Sequence, residues 1–302
     1  MPYAQGVNQN TYIKLEGVAG ALDDEIAWIP LRLTNNGLSQ TMEEIESDEM
    51  LPGRHMGESR SGASSVAGDL EAELTYGTFD MLLEAAFHGT WTANVLKTGT
   101  TRRKFAILKH NEDIDRWLIY RGCEASTVAL DCPLQGKVGI TFSMIGKKEE
   151  AYVFDDLNES IADPTETVMM TTFEGSLLEG GTGLNHATAL TMSLDNGMEA
   201  IYSLFNRDPY DIKLGRINVS GSLSAYIEDD RLKAKYLGET KTPLVVTLTD
   251  GENSYQISMT RAKLTNNTEE GSGDDPIIQN YNYRAFNDQA TDTEITITRV
   301  PA

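Results

Sequence analysis

The sequence predicts a mainly β protein, made by tandem duplication of one β-rich domain with a single short packing helix in each copy. Three observations predict it. The stretch VAGDLEAEL at 66–74 recurs as VSGSLSAYI at 219–227; apolar and polar residues alternate with period two through most of the periodic segments; and the order strands, helix, strands occurs twice. At 302 residues the chain is long enough for two cores of ordinary size, so each half is expected to bury its own interior.

Other pairs follow the same order along the chain. LEG at 15–17 answers FEG at 173–175, and LTNNGL at 33–38 answers LDNGM at 194–198, which matches Gly37 with Gly197. The first half is longer between its glycines because of SQTMEEIESDEMLPGRHMGESRSGAS at 39–64, a charged, Gly- and Ser-rich stretch that reads as an exposed loop. Next comes a helix with Phe79, Leu82, Leu83, Ala86 and Phe87 on one face, Thr78 as its cap and Gly89 as its end. In the second half Asp229 or Asp230 precedes a shorter helical turn through Leu232, Tyr236 and Leu237, closed by Gly238. Both halves then return to alternation, at Trp117, Ile119, Ile140, Phe142 and Met144 in one, and at Tyr255, Ile257, Met259, Tyr281, Tyr283 and Ala285 in the other. The division expected is a first domain at 1–150, an acidic linker at 151–165 and a second domain at 166–302.

The repeated strand has one core side and one polar side. Val66, Leu70, Ala72 and Leu74 share the first, and Asp69, Glu71 and Glu73 the second. In the copy, Val219, Leu223, Ala225 and Ile227 keep the core side, while Ser220, Ser222 and Ser224 replace the acids.

Composition excludes several function classes. With 25 basic against 46 acidic residues the net charge is −21, which disfavours adhesion to nucleic acid or anionic lipid. No stretch approaches a membrane span, and the start lacks a signal-peptide pattern, so synthesis and folding in a cytoplasm are expected. The two cysteines, Cys123 and Cys132, read as buried thiols.

Chemistry-bearing motifs are scarce. His55, His88, His110 and His186 are scattered without metal-ligand spacing, and His88 beside Gly89 reads as a cation at a helix C-terminus. NEDID at 111–115 departs from a calcium loop, with Arg116 in the glycine position and Gly122 in place of the bidentate acid, so it reads as a hairpin turn. GSLLEGGTG at 175–183 has neither a phosphate-loop ending nor dinucleotide spacing and reads as a flexible crossing between strands. No nucleophile elbow occurs. No enzyme, cofactor or metal is expected. Residues 149–206 hold no Lys or Arg while including Asp155, Asp156, Glu159, Asp163 and Glu166, either as a solvated linker or as a surface that repels a polyanion.

The run from LRLTNNGLSQ through VAGDLEAELTYGTFDMLLEAAFHGTW, together with SLDNGMEAIYSLFNRDPYDIKLGRINVSGSLSAYI and the strands after it, resembles the major tail tube protein of long-tailed bacteriophages, in the branch with two tube domains per chain. The resemblance implies tail-tube-like β-sandwich or barrel domains, each with a flanking helix. Their sheets would join across subunits around a lumen, in rings of three chains with pseudo-sixfold symmetry, stacked into a tube that conducts phage DNA to the host cell. It also implies partners: further copies of the chain, tail-tip or initiation and terminator proteins, and the tape-measure protein and DNA inside the lumen without sequence-specific binding. No membrane partner is implied, and the location is the virion tail. Residues 39–64 would make the inter-ring contact, with Glu43, Glu44, Glu46, Asp48, Glu49, Arg54 and Arg60 as candidates. Asp69, Glu71 and Glu73 are the candidates for the lumen wall, where an acidic surface lets DNA slide; the residues alone leave open whether this face looks outward instead. Alternative readings are a terminator or hub protein that makes one ring and stops, and a duplicated β-domain adhesin, which would expose an aromatic patch.

Overall fold

The computed structural model describes residues 3–17, 20–23, 25–49, 53, 55–155 and 158–302. The chain runs through β1 (Gln9–Leu15), β2 (Ile29–Pro30), β3 (Leu33–Asn36), β4 (Ser39–Glu46) and β5 (Ser59–Glu73) into helix α1 (Asp80–Phe87). It continues through β6 (Val95–Lys97), β7 (Phe105–Asn111), β8 (Arg116–Cys132), β9 (Gly139–Gly146) and β10 (Lys148–Tyr152). The second half opens with β11 (Ser176–Glu179), β12 (Thr182–Gly183), β13 (Ala187–Asp195), β14 (Glu199–Ile201), β15 (Asp211–Lys213) and β16 (Asn218–Tyr226). After α2 (Arg231–Leu237) it closes with β17 (Lys241–Thr249), β18 (Ser254–Glu270), β19 (Ile278–Ala285) and β20 (Thr296–Val300).

Alternation builds a sandwich, because each strand has one face to hide. One large antiparallel sheet crosses both halves in the order β3 with β4, β5, β9, β8, β13, β16, β19, β18. Two smaller layers complete it. The first contains β2, β1, β7, the start of β8 and β10; the second contains β12, β11, β17, the start of β18, β20 and β6. Strands β8 and β18, 17 residues each, serve both layers, and β-bulges along them bend the chain from one to the other. Both halves therefore follow one order: β1, β7, β8, β9, β5, β3 and β11, β17, β18, β19, β16, β13.

The core side of the repeated strand is as expected at Val66, Leu70, Ala72 and Leu74 and at Val219, Leu223 and Ala225, all buried. Ile227 departs from it: it lies past the end of β16 and is 38% exposed. Phe142, Met144, Tyr255, Ile257, Met259, Tyr281 and Tyr283 are buried as their alternation predicts. The expectation of two separate interiors fails, because a single hydrophobic cluster runs through both halves, from Ile13 to Ile297. The shared sheet and the β6·β20 pairing place first-half and second-half side chains against each other.

Two of the three sequence pairs are not structural equivalents. LEG follows the end of β1, whereas FEG precedes the start of β11. Gly37 faces the level of Gly68, its N–H donating to the Asp69 carbonyl at 2.8 Å, whereas Gly197 lies against Gly215, well before Gly221. The pair that holds is Gly68 with Gly221, and for a steric reason. A Cβ at Gly68 would stand 2.3 Å from the Gly37 oxygen, and one at Gly221 2.0 Å from the Thr191 oxygen, so both sites need a bare backbone against the neighbouring strand.

Local expectations are corrected at four further places. Thr78 does not cap α1, whose N-cap is Phe79; the Thr78 hydroxyl instead accepts from Thr75 at 2.7 Å and is bonded to Thr165. The left-handed residue that ends α1 is His88 (φ 50°), and Gly89 is there because a Cβ would strike the Lys97 carbonyl. His88 is buried and desolvation lowers its pKa, which makes it a neutral ring, Nδ1 bonded to the Ala85 carbonyl, rather than a cation. GSLLEGGTG is an ordered hairpin, β11 and β12 joined at Gly180 and Gly181 with φ of 60° and 79°. The exposed loop at 39–64 is in large part a β-hairpin arm, β4 against the first half of β5, because Thr and Ser on both strands can pair without a core.

Within the acidic tract, the segment 159–167 is strapped to the first half. Backbone bonds join Trp28 to Ser160 and Ala162, the Trp28 Nε1–H donates to Glu159 at 2.9 Å, and Arg32 donates to the carbonyls of Thr165 and Thr167. Asp156 lies outside the described residues. Cys123 and Cys132 are free, buried thiols; burial holds Cys123 far above the ordinary thiol range and pushes Cys132 up to about 12.

Candidate functional site

The large sheet has an apolar face in the core and a polar face turned outward. Its register aligns the polar residues in rows that cross the boundary between halves. Asp69 stands beside Ser143, then Thr127, then Asp195. Glu71 leads through Thr141, Ala129 and Ser193 to Ser220 and Arg284. Glu73 leads through Gly139, Asp131 and Thr191 to Ser222, Asn282 and Asn266. The three acids singled out from the sequence thus lie on one strand of an extended hydroxyl- and amide-rich surface.

Two recesses of about 390 and 580 Å³ open on this face. Glu71, Glu73, Asp131, Thr191 and Ser193 line one; Ser220, Ser222, Asn282 and Arg284 line the other. Asp69 and Glu71 are exposed and Glu73 is half-buried, paired with Lys137 at 2.5 Å. That exposed pair contributes at most about 1 kcal/mol. Two acids of the surface, Asp131 and Asp195, were missed by sequence reasoning. The signal was present: Val128 and Leu130, and Leu190, Met192 and Leu194, alternate around them as buried positions.

The residues proposed for a second contact are on the arm, away from the rows. Glu43, Glu44, Glu46, Asp48, Glu49 and Arg60 are all exposed, with Glu46 opposite Ser59 and Arg60 opposite Ile45. Arg54 lies outside the described residues. The second half has a much shorter arm in the same place, β14 paired with β15. A part-buried charge network holds it down. Arg102 donates to the fully buried Glu124 at 2.9 and 2.6 Å and to the Ile212 carbonyl at 2.5 Å. Lys104 reaches Asp211 at 3.0 Å.

The chemistry offered by these rows is that of an extended polar surface. Among the described residues no group of three His, Cys, Asp or Glu could hold a metal ion. His110 stacks on Trp117 with centroids 3.7 Å apart, and His186 pairs with Glu228 at 3.0 Å. Among the described residues no helix is long and apolar enough to cross a membrane.

A family model for phage tail tube proteins matches residues 6–285. The chain belongs to the phage tail tube protein family. Membership makes it a structural component of the phage tail, of a kind that assembles with itself and is typically not an enzyme. A search of curated proteins returns no match.

Proposed function

We propose that three chains close into a ring, that rings stack into the tail tube, and that the polar face of the large sheet lines the lumen through which DNA and the tape-measure protein pass. The supporting observation is the junction between β8 and β13. There the end of β8 in one half pairs with β13 in the other, Thr127 opposite Asp195 and Asp131 opposite Thr191. With Val66–Glu73 laid on Val219–Tyr226, residues 127–131 correspond to 266–270 in β18, and residues 191–195 to 37–41, the end of the β3–β4 connection and the start of β4. Among the described residues no strand pairs with the outer edge of either segment.

Bare strand edges are an aggregation hazard that closure removes. A second chain offers 37–41 to the first chain's 266–270, with Asn266 opposite Thr41 and Glu270 opposite Gly37. Three chains then make six equivalent junctions, three internal and three between chains. Residues 1–150 and 166–302 are the two tube units, with 151–165 between them. A wall bearing Asp69, Glu71, Glu73, Asp131 and Asp195, and lined with hydroxyls, repels a duplex that carries about one charge per 1.7 Å. Only wall charges act on it, since screening reaches about 8 Å at physiological salt.

The double variant Asn266→Cys/Thr41→Cys tests the junction, because cross-strand neighbours lie about 4.5–5.5 Å apart at Cα and can bridge. Oxidation of assembled protein gives covalent dimers and trimers, seen on a non-reducing gel, while each single variant gives none. Hollow stacked filaments in electron micrographs without any cross-linked product would overturn the assignment of edges, and failure of the wild type to form filaments would overturn the tube.

A further inference from the structure

The second half's short arm ends in the loop 202–210, YSLFNRDPY, and its tip is the most apolar exposed point of the described chain. Phe205 is 103% exposed and Leu204 84%; Tyr210, at the base of the loop, is 70% exposed. Phe205 also has φ of 68°, a left-handed conformation unfavourable to a bulky residue. The loop is braced, not loose. The Tyr202 hydroxyl donates to the Ser64 carbonyl at 3.0 Å, the Ser64 N–H donates to the Arg207 carbonyl at 2.9 Å, and Lys147 donates to the Tyr210 carbonyl at 2.7 Å. A braced loop that presents an exposed aromatic on a backbone already in the left-handed region loses less backbone freedom on binding than a loose one.

A matching recess lies at the other end of the strands. Loop 202–210 hangs beyond the Asp195 end of β13; past its Ala187 end opens a recess of about 290 Å³. Leu177, Leu184, Leu190 and Val246 line it together with Ser176 and Asn185, in the gap between the large sheet and the β11·β17 layer. A knob and a hole at opposite ends of one chain make a heterologous contact that cannot close on itself, and its repetition is a filament.

We propose that Leu204 and Phe205 of one ring insert into this recess of a chain in the next ring. This inference rests on the tube reading and deepens it: the first half would reach the next ring with a long polar arm, the second with a short apolar plug. It also explains why the second arm can be short. A few buried apolar atoms replace the hairpin's length.

Three preparations test it: the full chain, Phe205→Ser, and Thr188→Trp, which fills the recess from a position on its lining. Thermal melts check folding; Phe205→Ser changes only a solvent-exposed side chain, so it keeps the test usable if Thr188→Trp does not fold. Electron microscopy across a dilution series reads stacking. The expected result is that each variant needs at least about tenfold more protein than wild type to stack rings. Mixing the two gives two-ring stacks, because the intact plug of one meets the intact recess of the other. Stacking by Phe205→Ser at the wild-type concentration would overturn the inference while leaving the tube reading in place. Absence of tubes from the wild type would remove both.

Discussion

At the scale of single residues, the conformation of the repeat is fixed by the absence of a side chain. Gly221 lies so close to the Thr191 carbonyl and the Tyr283 ring that any Cβ forces β16 away from its neighbours. Gly221→Ala should therefore cost roughly 1–3 kcal/mol, read as a lower denaturation midpoint with an unchanged slope. A charged residue sets an acid limit. Burial alone would raise the Asp211 carboxyl, but the Lys104 hydrogen bond, the Ile212 N–H and the charges of Lys104 and Arg102 outweigh it and hold the group far below the ordinary carboxylate range. A depressed folded pKa contributes stability above the unfolded value of about 3.9 and loses it as pH falls further. Asp211→Asn should thus melt lower than wild type at pH 7, with the gap narrowing in melts taken below about pH 4.

At the scale of elements, the two arms carry the contrast between the halves. The β4·β5 arm is polar, exposed and joined to the body through β5, whose later residues pair with β9 and bury Val66, Leu70 and Ala72. Deletion of residues 43–58 should leave the sandwich folded, with a melting temperature within a few degrees of wild type, and should prevent rings from stacking. Tubes of normal length in that variant would free the arm of this role. The strands were largely legible from alternation, because period two is what a half-buried strand requires. Helix ends were less so. Thr78 has the right chemistry for a cap, yet its hydroxyl is engaged by Thr75 and Thr165, the latter 87 positions away. No local pattern encodes that competitor.

At the scale of the whole molecule, the proposed function rests on a surface shared by both halves. Asp69, Glu71 and Glu73 were visible as a polar row on one strand, whereas their alignment with Asp131, Asp195 and the serines of the second half depends on the β8·β13 pairing between residues 58 to 68 positions apart. Changing Asp69, Glu71 and Glu73 to lysine should leave assembly intact and slow DNA ejection by about tenfold or more, as a basic wall holds the duplex. Unchanged ejection in a single-virion fluorescence assay would place this face outside the lumen.

The sequence by itself determined the β class, the two-fold repetition of a strand that carries a glycine at the same place, and the acidic character. These follow from local periodicity and composition, which need no knowledge of what lies across the sheet. Tertiary structure alone decided that the two halves share a single interior, that a loop is a hairpin arm, that two of three repeated motifs coincide only as letters, and which strand edges are left bare. Those outcomes depend on pairing between distant segments, where backbone register and close packing choose the partner.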